Sequence, residues 1–267
     1  MQRQPAVAGQ FYTGSPQQLR AELASLIPVS GTKREAIGII SPHAGYMYSG
    51  AIAGKVYGAI ELPSTVLILG PNHRGVGAAA GLYPDGNWLT PLGSVAVNVR
   101  LNSLLCKQIP FLESDTLSHQ FEHSLEVQVP FIQYLRPDVT IAAICLGFGD
   151  YAAAEALGRG IALAVREFGD DVLIVASSDM THYESAEAAR HKDDMALDRV
   201  RAFDPEGLVR ICRSEQITMC GVIPSAVMLV AARELGARQA ELVAYGTSGD
   251  VTGDNRQVVG YAGVAVW

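Results

Sequence analysis

Short apolar segments alternate along the chain with segments of helical composition, and this alternation constrains the fold more than any other feature of the sequence. Buried strands are predicted at residues 36–40, 65–69, 139–145, 171–176, 242–245 and 258–266, and helices at residues 49–60, 151–168, 186–202 and 225–235. Strands that are apolar throughout are typical of a sheet covered on both faces. We therefore predict an α/β fold, a single-domain sheet with helices packed on both faces. No linker, repeat or charge block divides the chain, so one domain is expected over residues 1–267.

Composition excludes several classes of protein. The 267 residues are 49% hydrophobic, and 20 basic against 27 acidic residues give a net charge of −7. Without a basic patch, neither nucleic-acid binding nor docking on an anionic membrane is expected. No apolar run approaches the ~18 residues of a membrane-spanning helix, and the N-terminus lacks the pattern of a secretory signal. Four scattered cysteines without a CxxC pair favour free thiols. We predict a cytoplasmic protein.

Three predicted strands run directly into a histidine: His43 in SPHAGY, His73 in GPNHR and His182 in SSDMTHY. A single histidine at a strand end is commonly a hydrogen-bonded packing residue. Three of them are harder to explain in this way, because the carboxyl ends of parallel strands meet at one edge of a sheet, where ligands bind. Imidazole is the commonest protein metal ligand and titrates near neutrality. The pattern predicts a metal centre, an acid–base site, or both.

Three further side chains are candidates for the same site. His123 opens a predicted helix in EHSLE, and Asp179 lies three residues before His182, near enough to orient that ring in a turn. Cys220, in TMCGVIP, directly precedes a predicted helix. A helix N-terminus stabilises a thiolate through its free N–H groups, which suits a metal ligand or a nucleophile.

Other polar residues are expected at the surface. His119 and His191 lie in polar stretches of the sequence. Glu122 and Glu126 flank His123 at helical spacing, which is consistent with a solvated helix face.

Six motifs in this order closely resemble the Memo family: SPHAGYMYSG, GPNHRGVG, EHSLEVQVPF, SSDMTHY, CGVIPSAVML and YGTSGD. The opening PAVAGQFY resembles the same family, so the resemblance runs over nearly the whole chain. The Memo family is similar in fold to class III extradiol dioxygenases, which are non-haem iron enzymes that open catechol rings. Prokaryotic members resemble the Memo component of a system that also includes a radical-SAM protein.

The resemblance implies a metal site of two histidines and one cysteine, at His43, His73 and Cys220. It places His182 where the dioxygenases carry their acid–base histidine. His123 and Asp179 would line the same pocket. The sequence departs from some relatives, which carry another histidine where this chain has Gln128.

The implied ligand set differs from that of the extradiol enzymes, which hold Fe(II) with two histidines and one carboxylate. A thiolate as third ligand shifts the preference towards copper(I) or zinc while still permitting iron. The predicted cofactor is therefore one metal ion, iron(II) or copper, with zinc also compatible. The first hypothesis is a redox metalloenzyme that acts on a small molecule, with His182 moving a proton.

Two alternatives stay open. The first is a non-catalytic binding or adaptor module that uses the pocket to capture a peptide or a partner protein, since the Memo family is reported to include adaptors in eukaryotic signalling. The second is a metal-free thiol hydrolase with Cys220 as nucleophile and His182 as base. The expected ligands are a small molecule or a peptide, with a functional link to a radical-SAM protein and no nucleic-acid or membrane partner.

Overall fold

A computed structural model describes residues 1–29 and 31–267 of the chain. In these residues the strands are β1 (Gln2–Arg3), β2 (Arg34–Glu35), β3 (Gly38–Ser41), β4 (Ile60–Glu61), β5 (Thr65–Pro71), β6 (Ala80–Leu82), β7 (Asn87–Thr90), β8 (Gly93–Val97), β9 (Glu113–Ser114), β10 (Thr140–Leu146), β11 (Val172–Ser177), β12 (His182–Glu184), β13 (Ala240–Thr247) and β14 (Val258–Val266). The helices are α1 (Pro16–Leu26), α2 (Tyr46–Gly58), α3 (Val99–Gln108), α4 (Val129–Leu135), α5 (Tyr151–Phe168), α6 (Ala186–Arg201), α7 (Pro205–Ser214), α8 (Val222–Leu235) and α9 (Gly249–Thr252), with a 3₁₀ turn at Glu126–Gln128.

Four parallel strands form the centre of one mixed sheet, in the order β10, β5, β11 and β3. In this register Ile68 lies between Ala143 and Val175. On one side, β14 pairs antiparallel with β3 and carries β12 and β13. On the other side, β8 continues parallel to β10, followed by β7 and β1. The carboxyl ends of β3, β5 and β11 therefore lie side by side.

The two faces of the sheet build two separate hydrophobic cores, because successive side chains of a strand point to opposite faces. Ile40 and Leu67 pack with Leu157 of α5 and Val227 of α8. Their chain neighbours, such as Ile39, pack on the other face with residues of α1, α2 and α4. Each fully buried side chain of this size contributes roughly 1.5–3 kcal/mol. The predicted α/β sheet with helices on both faces is confirmed, and the single domain over residues 1–267 stays a prediction.

The ends of the helices follow from the residues that cap them. The predicted helix at 151–168 is found with the same bounds, since the Asp150 side chain accepts the N–H of Ala153 and Gly169 ends the helix at a φ of 80°. The helix predicted from residue 225 begins earlier, at Val222. Pro224 lies in its first turn, where no intrahelical N–H bond is lost. Among the described residues, no helix is both long and apolar enough to cross a membrane.

Candidate metal centre

The loops that follow β3 and β5 bring two of the predicted histidines together. The ring centroids of His43 and His73 are 5.3 Å apart. His123 joins them from the segment before the 3₁₀ turn, with its ring 4.7 Å from His73 and 5.4 Å from His43. One ligand atom from each of the three rings lies within 4.8 Å of the others. The three histidines therefore form a group that could hold a metal ion.

The tautomer of His43 is set by its neighbours. His43 Nδ1 lies 2.9 Å from Ser177 Oγ. That hydroxyl already donates to the carbonyl oxygen of Ser124 at 2.6 Å, and it accepts from Gln128 Nε2 at 2.8 Å. His43 Nδ1 must then be the donor, which leaves the lone pair of Nε2 for a metal.

His73 is oriented by a buried carboxylate. Its Nδ1 lies 2.9 Å from Glu122 Oε1, and its backbone N–H donates to Glu122 Oε2 at 2.7 Å. Glu122 is fully buried and also accepts the backbone N–H of Ser124. A carboxylate that holds the second nitrogen of a ligating histidine is the usual outer partner in metal sites, because it fixes the ring and raises its basicity. Nε2 of His73 is again the free atom.

Charges at this site favour neutral imidazoles beside an ionised carboxylate. Burial and the neighbouring histidines hold the pKa of His43 well below its usual range. Burial likewise lowers the pKa of His123 to about 4. Burial acts to raise the pKa of Glu122, but the hydrogen bonds from His73 and Ser124, together with the electrostatic influence of His73 and His123, outweigh it and bring the value to about 2. Neutral imidazole is the form that binds metals.

Cys220 approaches the group on the side of His43. Its Sγ lies 3.1 Å from His43 Nε2 and accepts the backbone N–H of Asp179 at 3.2 Å. Gly221 permits this approach, because a Cβ there would lie 2.4 Å from the carbonyl oxygen of Ser177. Burial raises the pKa of the Cys220 thiol well above its usual range, in spite of its place before α8. A metal ion displaces such a proton, whereas a metal-free nucleophile would stay protonated at neutral pH.

Asp179 and His182 occupy different positions near the group. Asp179 is almost fully buried, and its Oδ1 accepts the backbone N–H of His43 at 2.8 Å. Burial raises its pKa to about 6 in spite of this bond. His182 does not follow β11 directly but begins β12, where its Nδ1 lies 3.0 Å from the carbonyl oxygen of Thr218. The acid–base role of His182 and the place of Asp179 in the wall of the pocket stay predictions.

Three residues expected at the surface are buried. Glu122 and Glu126 are 0% and 1% exposed, and His119 is 0% exposed with its Nε2 2.9 Å from the carbonyl oxygen of Gly81. The local sequence is polar at all three positions, but each side chain finds a partner far away in the chain. His191 is exposed as predicted.

Sequence reasoning gave no role to Ser177, and the structure places it at the centre of the hydrogen bonds that hold His43. Ser177→Ala removes the acceptor of the His43 Nδ1 proton and leaves Gln128 Nε2 with one bond fewer. We expect the affinity for Zn²⁺ to fall about 10–100-fold, measured by competition with a chromophoric chelator. Ser103→Ala, on the exposed side of α3, is the matched control. Equal affinity of Ser177→Ala and the wild type would contradict this account of the site.

Comparisons with known proteins agree with the motifs. The profile of the family described as Memo-like protein matches residues 3–265. The chain is 38% identical to a MEMO1 family protein of Methanopyrus kandleri, with 99% of this chain and 98% of that protein covered. It is 39% identical to one of Methanothermobacter thermautotrophicus, with 98% and 99% covered. Its fold is similar to the crystal structure of an uncharacterized protein of Escherichia coli K12, with a TM-score of 0.55 and 13% identity over 85% of this chain and 98% of that one.

Proposed function

Because the chain belongs to the Memo family, we propose that it is a metal-dependent redox enzyme that acts on a small molecule, with iron(II) or copper held by His43, His73 and Cys220. The observation that carries the proposal is which ring nitrogen is left free in His43 and His73. Each uses Nδ1 for a hydrogen bond to a buried partner, Ser177 or Glu122, so that each keeps Nε2 for a metal.

The donor set fits such an ion. Imidazole nitrogens suit iron, copper and zinc, and a thiolate adds a preference for copper(I) or zinc. His123 lies close enough to serve as a further nitrogen ligand. When bound, iron or copper supplies Lewis acidity and one-electron chemistry.

The remaining polar groups hold protons beside the metal ligands. His182 Nδ1 is anchored at the carbonyl oxygen of Thr218, so Nε2 is the atom that accepts or gives a proton. Asp179 fixes the backbone of His43 and contacts the Cys220 sulfur through its own N–H. We assign His182 as the acid–base residue and Asp179 as a positioning residue. A functional link to a radical-SAM protein belongs to the same proposal and rests on the family resemblance alone.

The proposal is tested on protein purified without oxygen and loaded with iron(II) or copper, with catechol as the probe and oxygen uptake as the readout. We expect uptake by the wild type and a loss of about 10²–10⁴-fold in His182→Asn, with an unchanged metal content. His191→Asn is the matched control. A protein that holds the metal but takes up no oxygen would overturn the enzymatic part and favour the binding module.

A further inference from the structure

A cavity of about 480 Å³ opens beside the metal-binding group, with His73 and His123 in its wall. The N-terminal segment supplies a second wall, which includes Phe11, and the residue before Glu122 supplies a third, the Phe121 ring. A ligand in this cavity would lie against two of the three clustered histidines.

Among the described residues that line this cavity, Arg74 is the one cationic residue other than histidine. Its Nε donates to the carbonyl oxygen of Phe121 at 3.4 Å, and in the part of the chain that the structure describes no carboxylate lies within ion-pair distance of its guanidinium. The terminal nitrogens are thus left to a ligand.

The backbone of Arg74 is held in place by the preceding loop residue. Asn72 Oδ1 accepts the backbone N–H groups of Arg74 and Gly75, and Asn72 Nδ2 donates to the carbonyl oxygen of Val76. Gly75 adopts a φ of 64° within this turn. The turn presents Arg74 directly after His73, and both residues line the same cavity. A ligand held by Arg74 would therefore lie beside the clustered histidines.

The charge at the cavity differs from that of the whole protein. The chain has a net charge of −7, yet none of the described residues that line this cavity is acidic. Glu122, which bonds to the lining residue His73, is itself fully buried. Arginine binds carboxylates with two parallel N–H···O bonds, which a neutral group cannot replace. The cavity therefore favours an anion.

The rest of the wall is aromatic. The rings of Phe11 and His123 lie 4.9 Å apart, and Phe121 is 57% exposed although it is a large apolar side chain. Flat apolar groups pack well against such rings. The ligand that satisfies both features has a planar apolar body and one negative group.

We propose that Arg74 binds the carboxylate of a small aromatic acid in this cavity. The inference names the substrate class of the metal centre, and in that sense it rests on the proposed function. Arg74 acts here as a specificity-determining residue, since it selects the ligand by charge and does not hold the metal.

The test measures binding of benzoate, benzamide and acetate to the metal-free protein by isothermal titration calorimetry. We expect benzoate to bind more tightly than either benzamide or acetate. Arg74→Gln should weaken benzoate about 10–100-fold, the range of a lost charge-assisted hydrogen bond, and leave benzamide unchanged. Arg74→Lys should recover only part of the affinity, because lysine lacks the planar fork. Arg238→Gln, an exposed arginine beyond the far end of α8, is the matched control.

Equal benzoate affinity of Arg74→Gln and the wild type would overturn the inference, as would equal binding of benzoate and benzamide by the wild type. These outcomes can be distinguished from a failure of the proposed function, because benzoate binding is measured on the metal-free protein. Zinc titration of Arg74→Gln provides the second readout and should match the wild type. A protein that binds no metal but selects benzoate through Arg74 would refute the redox enzyme and keep the carboxylate site.

Discussion

Replacing Glu126 with alanine is expected to lower the free energy of unfolding by about 3–5 kcal/mol and the Tm by about 10 °C. Glu126 and Arg3 form an ion pair at 2.6 Å, with side chains that are only 1% and 3% exposed. Without Glu126, the buried charge of Arg3 would keep its hydrogen bonds to backbone carbonyl groups and its contact with the Trp88 ring, but it would lose its carboxylate partner. An uncompensated buried charge is among the most destabilising changes a single substitution can make.

Glu126 does more than neutralise Arg3. Its carboxylate also accepts the backbone N–H groups of Ala6 and Val7 and the hydroxyl of Tyr12. Together these bonds fasten the N-terminal segment to the part of the chain that carries His123. The wall that includes Phe11 depends on this attachment.

Thermal and urea unfolding of Glu126→Ala measure the effect. Asp194→Ala, which removes an exposed pair with Arg190, is the control and should change stability by at most about 1 kcal/mol. The double variant Arg3→Met with Glu126→Leu should recover part of the loss, because it removes both charges. A Glu126→Ala protein within about 1 kcal/mol of the wild type would show that the pair does not stabilise the fold.

His43→Ala is expected to abolish stoichiometric metal binding. His43 lies close both to the other two histidines and to the Cys220 sulfur. Its loss therefore removes a ligand whether the third donor is Cys220 or His123. The fall in affinity should exceed the about 100-fold limit seen for outer partners such as Ser177. Metal content after anaerobic purification and Zn²⁺ competition measure it.

His191→Ala, at the exposed histidine of α6, should bind metal like the wild type. Cobalt(II) substitution then separates the two candidate third ligands. If Cys220 binds the ion, the sulfur-to-cobalt absorption band disappears in Cys220→Ser and persists in His123→Ala. Unchanged metal binding in His43→Ala would contradict the site itself.

The positions of His43 and His73 could be predicted because they depend on local signals. The apolar strand before His43 ends at Ser41, and the one before His73 ends at Pro71. Parallel strands place their carboxyl ends at one edge, whatever the order of the strands. Cys220 could be placed before a helix for a similar reason, since Gly221 and Pro224 mark a helix start.

The burial of the polar residues around these histidines could not be predicted. Glu126 lies 123 positions from Arg3, and its EHSLEVQ context is equally compatible with an exposed helix. His119 is another case, because its position between Tyr83 and Trp88 depends on strands that come earlier in the chain. Hydrophobic periodicity carries no information about such distant partners.

The amino-acid pattern alone was sufficient for the α/β class, the two buried faces and the two histidines that follow β3 and β5, because these follow from periodicity and chain direction within a few residues. His182, predicted at a third strand end, begins β12 instead. Only the folded chain decides which nitrogen of His43 and His73 is free, which side chain reaches the cavity and which carboxylates are buried. Those properties arise from hydrogen bonds between distant segments, such as the contact of Cys220 with His43 across 177 positions. Chemistry at the site depends on these bonds, since they set which nitrogen of each imidazole is free.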